Sequence, residues 1–424
     1  VAHLTNPIVA DLPDAPARVP ADTASVRAAP QRRDARPRVL YIHPGTFGPP
    51  IDPRRNPFHF LSRHLRGDYL TTWVADDPAA AQGWAQQCKD ALGDFRFHWT
   101  RSLHLPPGVQ QLWDMVFFVA TGLRLTREHG RFDAVIAYGP HRTGLAGYLI
   151  ARLTGAVFIL ELPGHPLKPY RFVRGLVPRI KRAISPRMVS MLLRRADHVR
   201  LLYPAQLPAF ATRDPAHTSV FHNFVAVGTI EAAPPAPGAA SPYILFLGYP
   251  WYLKGVDVLI RAFLRIADRF PGYTLRIVGH CPDRSEFENL RGGCDRIRFE
   301  RAVPHEQAVR LMEGCSLFVL PSRTEAMGRV LLEAMAAAKP IIASAVDGIP
   351  HYIEHGRNGL LFRSEDDADL AAQMERVLAD PAFARELGLR GHAHVHERLS
   401  EEQYALRFRE MVDRAIATSR KGAA

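Results

Sequence analysis

The sequence predicts an α/β protein of two Rossmann-like, doubly wound parallel-sheet domains facing each other across a cleft. Three observations predict it. The chain has 424 residues, more than the roughly 100–200 of one common domain. In both halves, short continuous apolar runs alternate with helical segments, which is the pattern of parallel strands buried on both faces. Between the halves, residues 231–240 carry three prolines and a glycine, so this stretch is neither helix nor central strand and marks a linker.

The elements follow in order. Residues 1–36 alternate Pro, Ala, Asp and Arg without an apolar core; they are expected to form a flexible tail, neither secretory signal nor anchor. The first domain, 37–230, opens with a strand over 38–43 that runs into a Gly/Pro-rich loop over 44–50. A strand over 133–138, a helix over 144–153, and strands over 156–161 and 198–202 follow. The second domain, 241–400, restarts the alternation. Strands are predicted over 243–247, 274–278, 296–299, 317–320 and 341–343, and helices over 256–270, 305–312 and 330–338. A last helix, about 401–417 of the C-terminal segment 401–424, is a candidate to pack back on the first domain.

Composition narrows the function classes. Hydrophobic residues make up 47% and charged residues 23%, which excludes wholesale disorder, collagen and coiled coil. Lys and Arg total 54 against 42 Asp and Glu, and 29 of the former and 16 of the latter fall in residues 1–230. The first half is therefore +13 and the second, with 25 and 26, is −1. That asymmetry points to an anionic partner for the first domain alone. Its densest source is 168–195, with nine basic residues, no acidic one, and apolar residues interleaved. Such a stretch either lies on an anionic membrane surface or forms a solvated cationic face on a helix packed against the sheet. Pro178 and Pro186 argue against one long regular helix there. Residues 110–125 form a second apolar patch, of core or membrane type. No 18-residue apolar run suggests a transmembrane helix. Cys88, Cys281, Cys294 and Cys315 have no metal-site spacing and are expected as reduced thiols.

Residues 317–350 read LFVLPSRTEAMGRVLLEAMAAAKPIIASAVDGIP. This resembles the donor-site signature of retaining glycosyltransferase family 4, glycosyl transferases group 1. The family's two glutamates, separated by seven intervening residues, match Glu325 and Glu333. The resemblance extends through LKGVDVLIRAF (253–263), LRIVG (275–279) and HGRNGLLF (355–362), and more weakly through 132–161 and HNFV (222–225). It implies the GT-B fold and transfer of a sugar, with retention, from a nucleoside-diphosphate sugar to a hydroxyl of a glycan or lipid-linked glycan. Bacterial polysaccharide or glycolipid synthesis at the cytoplasmic face of the inner membrane is the implied setting, with the enzyme peripheral there.

Physical chemistry gives the site residues their roles. The backbone amides of Ala326, Met327 and Gly328, ahead of a helix and at a strand end, suit a diphosphate. By resemblance, Glu325 bonds donor-sugar hydroxyls, Glu333 holds the ribose, and Lys254 meets the phosphates. The family commonly carries Arg where this chain has Tyr249. Either Tyr249 donates a phenolic hydrogen bond, Arg323 or Arg329 substitutes, or the donor binds differently. A family histidine of the first domain falls at Pro163; His165 is the candidate replacement, with Glu161 and His141 as alternatives. Gly48 is the candidate for close phosphate or acceptor approach in the first loop.

By resemblance, the leaving phosphate itself helps deprotonate the acceptor, so no general base is required. The donor is expected to be a UDP- or GDP-sugar, and no cofactor or essential metal is expected. Asp367-Ala-Asp369 reads as helix capping rather than a metal motif. A sugar-nucleotide epimerase or hydrolase keeps the same fold. A basic nucleic-acid-binding protein is the reading from another class, and no recognisable nucleic-acid module supports it. No Gly-x-Gly-x-x-Gly fingerprint favours a dehydrogenase.

Overall fold

The computed structural model describes residues 35–46, 57–72, 78–100, 106–165, 176–206, 217–223, 230–233 and 242–421. Of the segments singled out from sequence, residues 1–34 of the expected tail 1–36, Gly48, residues 168–175 of the cationic stretch and residues 234–240 of the linker lie outside them.

The first domain runs β1 (Arg38–Thr46), α1 (Phe58–Leu61), β2 (Arg66–Thr72), α2 (Pro78–Leu92), β3 (Phe95–Thr100), α3 (Pro107–His129), β4 (Ala134–Tyr138), α4 (Arg142–Thr154), β5 (Val157–Glu161), α5 (Leu176–Arg195), β6 (His198–Leu201) and β7 (Thr218–Val220). Its seven strands lie in the order β3-β2-β1-β4-β5-β6-β7, with every pairing parallel. The order reverses between β1 and β4, the position where doubly wound sheets open a crevice at their strand ends.

Alternation along β1 divides the core. Val39 and Tyr41 join a cluster with Phe58, Trp84 and Phe95, while Leu40 and Ile42 join one with Phe118, Ile150 and Leu192 on the other face. That second face is covered by α3, α4 and α5. The helix α5 runs from Leu176 through Pro186 to Arg195, which corrects the expectation that the two prolines break it. Pro178 falls in the first turn, where amides have no intrahelical acceptor to lose. The side chains of 176–184 are not described, so the cationic stretch over 168–195 is seen only in its last turns.

The second domain runs β8 (Tyr243–Leu247), α6 (Val256–Ile266), β9 (Thr274–Val278), α7 (Ser285–Arg291), β10 (Ile297–Glu300), α8 (His305–Gly314), β11 (Leu317–Leu320), α9 (Arg329–Ala336), β12 (Ile341–Ser344), β13 (Leu360–Phe362), α10 (Asp367–Ala379) and α11 (Pro381–Arg398). The sheet order is β10-β9-β8-β11-β12-β13, again all parallel. Here the reversal lies between β8 and β11. Asp366 caps α10 by accepting from the Asp369 amide at 2.9 Å, and the carboxylate of Asp367 pairs with Arg265.

The chain then crosses back. The last helix, α12 (Glu401–Lys421), buries Tyr404, Ala405, Phe408, Met411, Val412 and Ala415 in the first domain's core. That spacing is one face of a helix. The Phe408 ring stands 6.5 Å from Tyr41 and 6.4 Å from Phe221, and Arg409 donates to the carbonyl of His64 at 2.8 Å. The two sheets are thus joined by the chain around residue 230 and again by α12.

Candidate functional site

Lys254 and Glu325 come from the loops that leave β8 and β11, the two strands on either side of the reversal in the second sheet. Their side chains form an ion pair, with the lysine 19% and the glutamate 13% exposed. Neither is a free surface charge; the pair sits at the mouth of the crevice.

The backbone holds both. Gly255, at φ 68°, follows Lys254, and a Cβ there would stand 2.0 Å from the Pro321 carbonyl oxygen. The Lys254 loop therefore lies directly on the Glu325 loop only because residue 255 has no side chain. On the other side, the Asp347 carboxylate accepts from the Glu325 amide at 3.0 Å and from the Thr324 hydroxyl. The Gly348 amide donates to the Glu325 carbonyl at 3.2 Å. A Cβ on Gly348 would fall 1.8 Å from the Ala326 carbonyl oxygen. Asp347 and Gly348 were not singled out from sequence; the Asp-Gly pair in a short turn was the available signal.

The helix start differs from the expectation. Gly328 is the residue before the helix, at φ 63°, and α9 begins at Arg329. The first amides facing out of the helix are therefore those of Arg329 and Val330, not Ala326 and Met327. Met327 is 3% exposed; its sulfur accepts from the Asn223 amide of the first domain at 3.2 Å, and its carbonyl accepts from the Tyr352 hydroxyl. Burial pushes the Tyr352 phenol well up, so it remains a donor. Glu333 is 7% exposed, on the buried side of α9.

Two arginines were candidates to replace the charge missing at Tyr249, and the structure separates them. Arg323 bonds Asp257 through both terminal nitrogens at 2.8 Å each and reaches Glu365 at 2.8 Å. It is committed to holding α6 against the β11 loop. Arg329 is exposed at the first position of α9 and lies within electrostatic reach of Tyr138 on the first domain. Tyr249 is 54% exposed, its ring 5.4 Å from that of His280.

The first domain meets this site through the loop after β5. Gln206 donates to the carbonyls of Leu162 and Gly164, both at 2.8 Å, and fixes that loop. A Cβ on Gly164 would stand 3.4 Å from the Cβ of Ala326. His165, the next residue, is half-buried in the same loop. The alternatives are placed elsewhere. Glu161 is 1% exposed beneath the surface, bonded by Tyr41 at 3.2 Å and Arg200 at 3.1 Å. Burial raises its carboxyl, and Arg200 opposes the rise. His141 sits 3.1 Å from the Ser185 hydroxyl, ahead of α4.

Arg200, missed from sequence, is 1% exposed and organises the other contact between domains. It donates to Asn223 Oδ1 at 2.7 Å and to the Phe221 and His222 carbonyls at 3.3 Å. Those residues in turn touch Met327 and Tyr352. Burial first, and then His351 and Arg200, lower the His222 imidazole to about 4. Tyr203 stacks on His351 with ring centres 5.7 Å apart.

Known proteins resemble this chain in sequence and in fold. Residues 241–380 match the family model described as glycosyl transferases group 1. Over 169 residues the chain is 35% identical to a D-inositol 3-phosphate glycosyltransferase of Nocardia farcinica, covering 38% of this chain and 37% of that protein. Over 292 residues it is 28% identical to an alpha-maltose-1-phosphate synthase of Mycolicibacterium smegmatis, covering 61% and 73%. The chain thus spans little more than a third of the first relative's length. Among solved structures, sucrose-phosphate synthase of Thermosynechococcus elongatus superposes with a TM-score of 0.71 at 21% identity, covering 90% of this chain and 100% of that one. HepE of Anabaena, solved with UDP and glucose, gives 0.66 at 18% identity, covering 89% and 99%. These structures share the two-domain GT-B fold.

Proposed function

We propose, from the match of residues 241–380 to the glycosyl transferases group 1 family model, that the chain is a retaining glycosyltransferase. It moves a sugar from a nucleoside-diphosphate sugar to a hydroxyl of a glycan or lipid-linked glycan, at an anionic membrane surface. The observation that carries this reading is the Lys254–Glu325 pair at the strand ends of the second sheet, with the Gly164–His165 loop of the first domain against Ala326. Donor and acceptor sites on opposite walls convert a bimolecular reaction into one between positioned groups.

In this reading the donor diphosphate takes up Lys254 as a point charge and the amides at the start of α9 as hydrogen-bond donors. Arg329 supplies the second positive charge in place of an arginine at position 249, and Tyr249 lines the same edge. Glu325, parted from Lys254 by the entering phosphates, accepts from sugar hydroxyls, and Glu333 accepts from the ribose. Charge builds on the leaving diphosphate as the glycosidic bond breaks, so fixed positive groups there lower the barrier. His165 bonds the reacting sugar or acceptor from the opposite wall. No bound metal enters this scheme.

Incubation with UDP- and GDP-sugars, with and without glycan acceptors, tests the proposal. Transfer that depends on acceptor, with the donor's anomeric configuration retained by NMR and with no loss on chelation, is the expected outcome. Rapid turnover of donor alone supports an epimerase or hydrolase instead.

A further inference from the structure

Two glycines let the long helix α11 lie directly on the end of α9. A Cβ on Gly388 would stand 2.2 Å from the Ala338 carbonyl oxygen, and one on Gly391 would stand 3.1 Å from that of Asn358. Residues without side chains allow that approach. It brings His392, the next position of α11, onto the last residue of α9: its Nδ1 lies 2.6 Å from the Ala336 carbonyl oxygen.

That bond fixes the tautomer. A carbonyl only accepts, so Nδ1 carries the proton, and in the neutral ring Nε2 keeps its lone pair. An imidazole held on a backbone carbonyl by its other nitrogen is the usual state of a metal-bound histidine. One turn on, the ring centre of His396 lies 4.2 Å from that of His392, with the planes tilted by 47°. Residues at i and i+4 share a helix face. A single ion bonded at about 2.0–2.1 Å to one nitrogen of each ring can bridge that spacing.

The surroundings suit a cation. Ala336 ends α9, so its carbonyl belongs to the negative end of that helix. Glu401, which opens α12, lies within electrostatic reach of His396. Partial burial first, and then His392, lower the His396 imidazole against the opposing pull of Glu401, so this ring offers a lone pair rather than a charge near neutral pH. Among the described residues no group of three His, Cys, Asp or Glu is arranged to hold a metal. The pair therefore supplies two ligands and water the others, which sets the affinity below that of a four-ligand structural site.

We propose that His392 and His396 together bind one divalent transition-metal ion, of the class of zinc, nickel or copper, and not calcium or magnesium. Imidazole nitrogen suits the first class and oxygen ligands the second. The site lies just before Leu399, the residue that caps α11, so a bound ion braces the segment from which α12 crosses to the first domain. It sits at the opposite end of α9 from Arg329. It goes beyond the proposed transfer, whose scheme needs no metal.

The test is calorimetric titration of zinc chloride, nickel chloride and calcium chloride into the untagged full chain, cleared of metal by a chelator, at about pH 7.5, above the ordinary imidazole range. His392→Ala and His396→Ala are the variants. Wild type is expected to bind zinc and nickel and to ignore calcium. Each variant is expected to lose at least about tenfold in zinc affinity, since loss of a ligand costs no less than loss of a group that merely orients one. Zinc is expected to raise the melting temperature of wild type and to leave that of His396→Ala unmoved. The His396 side chain is exposed, so this variant keeps the fold whatever the change at His392 does. Absence of zinc binding in wild type, or zinc affinity that survives His396→Ala, overturns the inference. So does calcium binding as tight as that of zinc.

Discussion

At the scale of single residues, two arginines six positions apart do different work. Arg323 is spent on Asp257, a carboxylate 5% exposed and also held by Arg261 at 2.8 Å. Removing it uncovers a buried charge, so Arg323→Ala is expected to cost about 3 kcal/mol of stability by denaturant titration. Among the described residues Arg329 has no such bond to a carboxylate, and it stands exposed at the start of α9. Arg329→Ala is expected to leave stability within about 0.5 kcal/mol and to raise the donor KM roughly tenfold, the loss of one charge-assisted hydrogen bond. The reverse pattern would return Arg329 to the solvated surface and leave Tyr249 as the substitute.

At the scale of elements, what was legible from sequence depended on how each strand is buried. β8 and β11 are apolar runs buried within their sheet, β9 is interrupted only by Arg276, and each was bounded to the residue by its pattern. β2 and β3 were not seen. Their sequences, Arg-Gly-Asp-Tyr-Leu-Thr-Thr and Phe-Arg-Phe-His-Trp-Thr, are interrupted by charged and polar residues and form no continuous apolar run. The reason is Asp68, which is fully buried and bonded by Arg38 on β1 and by Arg96 and His98 on β3. Charges paired across three strands stand where apolar side chains are normally looked for. The proposed donor site was legible because each of its motifs is local, Lys254 to Gly255 and Glu325 to Gly328. The clamp made by Asp347, Gly348 and Arg200 was not, because each reaches its partner from a distant part of the chain. The crossing helix α12 belongs to the same scale. Phe408 is fully buried between Tyr41 and Phe221, and Phe408→Ala is expected to destabilise by about 3–5 kcal/mol. An unchanged melting curve would mean that α12 does not hold the first domain together.

At the scale of the whole molecule, buried and half-buried histidines set an acid limit. Burial lowers His43, His198 and His222 to about 4, against about 6.5 in an unfolded chain. The unfolded state binds more protons between those values, so the stability tied to neutral histidine is present above about pH 6.5 and lost as pH falls toward 4. Burial alone would raise the Asp68 carboxyl, but bonds from His98, Arg96 and Arg38 outweigh it and hold it at about 2. Its contribution survives to lower pH and is lost below about pH 4. Thermal denaturation across pH 8 to 4 is expected to show a melting temperature that falls from about pH 6.5 downward. A curve that stays flat to pH 4.5 would contradict the burial of these rings.

The charge asymmetry belongs to the same scale: the first half is +13 and the second −1, so the proposed donor domain would hold a diphosphate through local groups rather than through its overall field. The donor site is the claim on which the rest depends, and calorimetric titration of UDP- and GDP-sugars into wild type, Lys254→Ala and Glu325→Gln tests it most directly. One series is expected to bind wild type. Lys254→Ala is expected to weaken the whole nucleotide-sugar and free nucleoside diphosphate alike, whereas Glu325→Gln is expected to weaken the sugar-bearing donor and spare the free diphosphate. Donor binding unchanged in both variants would contradict the account.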